Sequence, residues 1–166
     1  MTEQAITNKL QRDVRQFLEE TFAIHHGIYL DKGTSLIETL GDVSAEEASQ
    51  RASDTTASVA AHVRHVVFYV EIMQRVLRGE ELGTVNWREI WENDRPVSRD
   101  AWKTQIAALR AEYAKVLAML ADTAIWERED ANGEFTAIAV HTAYHLGAIR
   151  QALAVIRSRA GATAGS

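Results

Sequence analysis

Cysteine is missing from this 166-residue sequence. That rules out disulfides, thiolate metal sites and a protein thiol nucleophile, and it suits a reducing compartment. Proline occurs once, at Pro96, so little interrupts long helices. Positive charge is not in excess: the net charge is −5 and the pI is near 5.7. A nucleic-acid or anionic-membrane partner would want a basic stripe, and neither is expected. No stretch is apolar enough to span a bilayer, and the opening MTEQAITNKLQRDVRQ is polar rather than a signal-peptide run. The expectation is a soluble, cytoplasmic protein with one domain over residues 1–160 and a small, polar tail, 161–166, that frays.

What the chain does have is helical periodicity. A first helix is predicted from Thr7 to Phe22, with Leu10, Val14, Phe17, Leu18 and Phe22 inward. A mixed segment with glycines at 27, 33 and 41 follows. It holds a short helical stretch at Ser35–Leu40 and a capping-box pattern at Ser44-Ala-Glu-Glu47. A second long helix, Ser58 to Leu77, carries two interleaved seams. Val59, Val63, Val66, Val70, Met73 and Leu77 form one; Ser58, His62, His65, Tyr69, Ile72 and Val76 form the other. A third begins at Ser98 as N-cap and buries Trp102, Ile106, Leu109, Tyr113, Val116 and Leu120. A turn at Ala131-Asn-Gly133 precedes the fourth, Phe135 to about Arg159. Four long amphipathic helices predict an all-α protein, a four-helix bundle. The connection GEELGTVNWREIWENDRPV between helices two and three is too long for a simple hairpin series. Its Trp87 and Trp91 are expected to pack on the bundle and wall a cavity.

The six histidines fall in three pairs: 25/26, 62/65 and 141/145. His141 and His145 are one helical turn apart, so both rings leave one face. They share a core-facing register with Ile138, Ala148, Ala152 and Val155. A buried neutral imidazole has both a lone pair and an N–H to satisfy. A metal ion meets that need by taking one nitrogen from each ring. A lone histidine on an apolar face is usually an ordinary core residue. The 62/65 pair on a second helix shifts the balance, because facing helices are where bundles build metal sites. By helical phase His62 is nearer the centre of the apolar arc and His65 sits on its shoulder, so both are candidate ligands. His25 and His26, before Gly27, read as helix-end capping or solvent-exposed residues. Three imidazoles around one ion would leave a position open for water or substrate.

The segment SVAAHVRHVVFYVE, with serine seven residues before His65, resembles the first-ligand helix of the DinB-like (YfiT-like) metalloenzyme superfamily. HTAYHLGAIRQAL, residues 141–153, resembles that family's H-x-x-x-H-x-G-x-I-R motif. The resemblance implies a bundle of up-down-down-up order with His65, His141 and His145 as ligands of a divalent metal, often zinc or nickel. It leaves His62 as a second-sphere residue or alternative ligand. Relatives include S-transferases using mycothiol or bacillithiol and mycothiol-dependent isomerases, so a low-molecular-weight thiol is an expected co-substrate.

Such a site can acidify water or a thiol, which needs no protein cysteine. The expectation is metal-dependent transfer or hydrolysis on a small molecule, with thiol S-transfer the specific form. A hydrolase also wants a base, and Glu134, seven residues before His141 on the same face, is the candidate. An acidic residue there also stabilises a helix N-terminus whatever else it does. Tyr69, one turn beyond His65, is placed to reach substrate or a ligand ring. Glu71 is expected to pair with Arg75 at the surface, and Arg150 to have a structural role. Trp102 and Trp126 read as packing residues. The rival readings are a non-catalytic metal- or ligand-binding bundle and a partner-binding bundle with ordinary core histidines. Broad seams on helices two and four also suggest a homodimer.

Overall fold

Serine side chains start three helices by the same local chemistry. Ser44, Ser58 and Ser98 take extended backbone and accept the N–H of Glu47, Ala61 and Ala101 respectively. Each bond satisfies one of the free donors at a helix start. At Ser35 the backbone N–H and the hydroxyl both donate to Glu38 three residues on.

The computed structural model describes residues 3–164. Eight helices lie in that span: α1 (Glu3–Phe22), α2 (Leu36–Thr39), α3 (Ala45–Ser49), α4 (Val59–Leu77), α5 (Glu89–Glu92), α6 (Arg99–Leu120), α7 (Thr123–Trp126) and α8 (Ala131–Ala164). The described residues contain no strand; Arg51 and Ser58 form one isolated bridge. None of these helices is long and apolar enough to cross a membrane.

The four long helices, α1, α4, α6 and α8, share one core, and α4 packs along both α6 and α8. Ser58 at the head of α4 bonds Asp94, just before α6, and Gln74 towards its tail bonds Glu112 of α6. Those two helices therefore run in the same direction. His62 lies beside His145 and His65 beside His141, so α8 runs against α4. α4 is buried over a broad arc: Val59, Val63, Val66, Val70 and Leu77 of the first seam are fully enclosed, and of the second Ser58, His65 and Ile72 are buried while His62, Tyr69 and Val76 are half-buried.

Several boundaries and faces differ from expectation. Helix α8 begins at Ala131, so Ala131-Asn-Gly133 is its first turn and not a separate one. The reason is that first-turn N–H groups need no partner inside the helix, so Asn and Gly cost little there, while Ala131 is buried. At its other end α8 continues to Ala164, into the segment that composition marks as tail; residues 165 and 166 lie outside the described residues. Of the apolar positions read as inward in α1, Val14, Leu18 and Phe22, four residues apart, are buried, whereas Leu10 and Phe17 are exposed. Phe17 packs instead against Tyr29 of the following loop. Past His145 the buried residues of α8 are Leu146, Ile149, Ala152, Leu153 and Ile156, so Ala152 lies inward as expected and Val155 is exposed. Helical periodicity of 3.6 drifts off a strict seven-residue seam in this way. The exposed large apolar side chains lie on α1, the loop after it, the 78–98 connector and α8, and none lies on α4.

Candidate metal centre

Helices α4 and α8 meet at their histidines. His65 and His145 are buried and His141 is half-buried. One nitrogen from each of the three rings can be chosen so that all lie within 4.8 Å of one another. The Nε2 atoms of His65 and His141 are 3.0 Å apart. Two nitrogens bound to one tetrahedral ion at ~2.05 Å are separated by about 3.3 Å, so this spacing is close to that of a ligand pair. The cluster is compatible with metal binding.

Its electrostatics point the same way. Burial pushes the pKa of His145 down to about 3, helped by the neighbouring imidazoles His141, His65 and His62. Burial likewise lowers His65 to about 4, with His141 and His62 adding to it. His141 is lowered by burial. All three are thus neutral near pH 7, the form that has a free lone pair for a cation. The Nδ1 of His65 is buried without a partner, so that ring is not fully satisfied by the protein alone.

Aromatic rings fix the imidazoles from outside. Tyr69 stacks on His141, with centroids 3.7 Å apart and planes 16° apart. Trp91 lies over His65 at 4.6 Å and meets His62 edge-on at 5.4 Å. Trp87 contacts Phe68 and Tyr69. The two tryptophans of the long connection therefore form a wall of the site, as their sequence position suggests.

What holds that wall is Asp94, a residue with no motif to mark it. Its side chain is only 3% exposed. One carboxylate oxygen accepts the backbone N–H of Ser58 at 2.9 Å, the other accepts the Ser58 hydroxyl, and Arg51 stands 3.0 Å away. Arg64 adds bonds to the carbonyls of Ile90 and Asn93. Ser58 thus caps α4 and ties the connection to it through a single side chain.

Within the predicted set, the structure brings together His65, His141, His145 and Tyr69. It does not bring Glu134 to them. That carboxylate is two turns from His141, about 10 Å along the axis, and its described ion-pair partner is Arg128 at 3.9 Å. Arg128 in turn packs over Gly79, at the far end of α4 from the cluster. Arg75 bonds Glu80 rather than Glu71. His25 and His26 are exposed, and the His26 ring bonds Glu19. Arg150 lies in a surface groove with Glu38, Asp42 and Arg157, away from the histidines. Trp102 is a core residue that donates to the Val43 carbonyl, and Trp126 stacks on Phe135. His62 is drawn in as a neighbour: its Nδ1 is 3.0 Å from Nδ1 of His145.

A family model described as the DinB superfamily matches residues 32–149. That span is more than half of the chain and includes all four clustered histidines. The chain belongs to the DinB superfamily. Helix α1 and the last turns of α8 lie outside the matched span of this DinB-superfamily chain. No curated protein and no solved structure matches it.

Proposed function

We propose that this DinB-superfamily protein holds one divalent metal ion through His65, His141 and His145 and acts on a small molecule by metal-dependent transfer. The observation that carries this reading is the convergence of three imidazoles from two helices within 4.8 Å. An all-imidazole donor set suits borderline cations, zinc and nickel among them. When bound, such an ion supplies Lewis acidity to an incoming water or thiol.

The protein's own residues do the rest. Tyr69 keeps the His141 ring in one plane by stacking on it. Trp87 and Trp91 exclude water from one side of the imidazoles and offer apolar surface to a substrate. Glu134, the base candidate by position, lies two turns from His141 with Arg128 at 3.9 Å, and the Asp94 carboxylate is used by Ser58 and Arg51. Hydrolysis would want such a base beside the attacking water. A low-molecular-weight thiol ionises more readily than water, so S-transfer from a thiol is the specific form we favour. The placement of Glu134 two turns from His141 also favours a second reading, a bundle that binds metal or ligand without turnover.

The deciding experiment is metal content by mass spectrometry on protein purified without affinity tag or chelator, beside a His141→Ala/His145→Ala double variant. About one equivalent in the parent and none in the folded variant is expected. No metal in either after incubation with zinc or nickel would sink the proposal. Turnover of thiol and electrophile panels by the loaded parent then separates the transferase from the non-catalytic bundle.

A further inference from the structure

His62 stands beside the three-histidine cluster without being one of the three. It is one turn before His65 on the same face of α4, half-buried, with Trp91 against its edge. Its Nδ1 is 3.0 Å from Nδ1 of His145. Two neutral imidazoles at that separation must share one proton: one ring donates and the other accepts. The bond commits one of the two nitrogens of His145 and leaves Nε2 for any other partner. If His62 were the donor, the proton of His145 would sit on Nε2, and that nitrogen would have no lone pair to give. Donation by His145 keeps the lone pair free.

We propose that His62 is a positioning residue for the metal centre: its Nδ1 accepts the Nδ1–H of His145 and holds that ring in the tautomer whose Nε2 can bind a cation. This rests on the metal-site reading above. Ligand histidines ordinarily donate their second N–H to a carboxylate, a carbonyl or a water, and the acceptor fixes both tautomer and ring orientation. Here an imidazole takes that part. The contrast with His65 is informative, because its Nδ1 is buried and has no acceptor at all. Of the two fully buried histidines, only His145 is steered through its far nitrogen.

The test compares zinc affinity, by competition with a chromophoric chelator, for the parent, His62→Leu and His62→Asn. Asparagine can place a carbonyl oxygen near the position of the lost Nδ1, whereas leucine offers no acceptor. The expected result is a 10–100-fold loss of affinity in His62→Leu, the usual cost of removing such a support, and recovery to within a few-fold of the parent in His62→Asn. Long-range proton–nitrogen NMR on the metal-free parent is expected to show His145 protonated at Nδ1. Equal affinity in His62→Leu would overturn the proposal, as would a His62→Asn variant as weak as His62→Leu, or His145 protonated at Nε2. A parent that binds no zinc would overturn the metal reading itself, a different failure from a zinc-binding parent indifferent to residue 62.

Discussion

Glu20 shows how much one side chain can organise. It is completely buried near the end of α1, and its carboxylate accepts the backbone N–H groups of His26, Ile28, Tyr29 and Leu30. The loop after α1 is wound around this charge, with Gly27 at φ 74° making the turn. Burial alone would raise the pKa of Glu20, but the four backbone bonds outweigh it and bring it from 4.5 down to about 2. The sign follows directly. A carboxylate with a depressed folded pKa adds stability above pH 4.5, and that stability is lost as the pH falls towards 2. A Glu20→Gln variant is expected to be less stable at pH 7 by roughly 2 kcal/mol and to lose less on acidification, because it has no carboxylate to protonate. Urea unfolding at pH 7, 4.5 and 3 measures both effects. Parallel pH profiles for the two proteins would contradict the assignment. Nothing in the sequence marks Glu20, since its partners are backbone groups whose positions depend on the loop.

At the scale of an element, the informative one is the 78–98 connection with its short helix α5. It buries no residue of its own within α5, so it is held by anchors rather than by a core of its own. Asp94 is the main anchor, through Ser58 and Arg51, and Arg64 is the second. Asp94→Ala leaves the Ser58 N–H and hydroxyl without their acceptor. The expected loss is about 2 kcal/mol, the order of a lost bond to a charged group. It should come with a red shift and increase in quenching of tryptophan fluorescence, because Trp87 and Trp91 ride on this segment. Fluorescence identical to the parent would show that the wall over the histidines is held by other contacts. The length of the segment and its two tryptophans are readable in the sequence. The anchor is not, because Asp94 and Ser58 are 36 residues apart and meet only when α4 and α6 run side by side.

For the whole molecule, α4 and α8 supply both a large share of the core and the histidines, so a metal ion held by that cluster would couple its binding to folding. A cation that binds the folded chain alone, at a hundredfold excess over its Kd, adds about 2.7 kcal/mol. At about 2–4 °C per kcal/mol for a chain of this size, zinc is expected to raise the parent's Tm by roughly 5–10 °C. The His141→Ala/His145→Ala variant should show no such shift. Calorimetry with and without zinc checks this, and an equal shift in both proteins would place the binding somewhere other than the cluster.

The sequence was sufficient for the four long helices, the broad burial of α4, the Ser44 and Ser98 caps and the pairing of histidines on inward faces. These follow from local chemistry: apolar spacing near 3.6, an N-cap hydroxyl and the scarcity of proline act within a turn or two of the chain. Tertiary packing decided the rest. Helical phase alone left both His62 and His65 as candidates, with His62 nearer the centre of the apolar arc, and only the antiparallel seating of α8 sets His65 by His141 and His62 by His145. Phe17, Leu10 and Val155 carry the right spacing for burial and are exposed, because which side of a stripe is covered depends on where the neighbouring helix lies. Glu134 shares a helix face with His141, yet two turns of rise take it to Arg128 instead. Periodicity fixes the direction in which a side chain leaves its helix, while the partner it meets is set by the crossing and register of other helices, contacts between residues far apart in the chain.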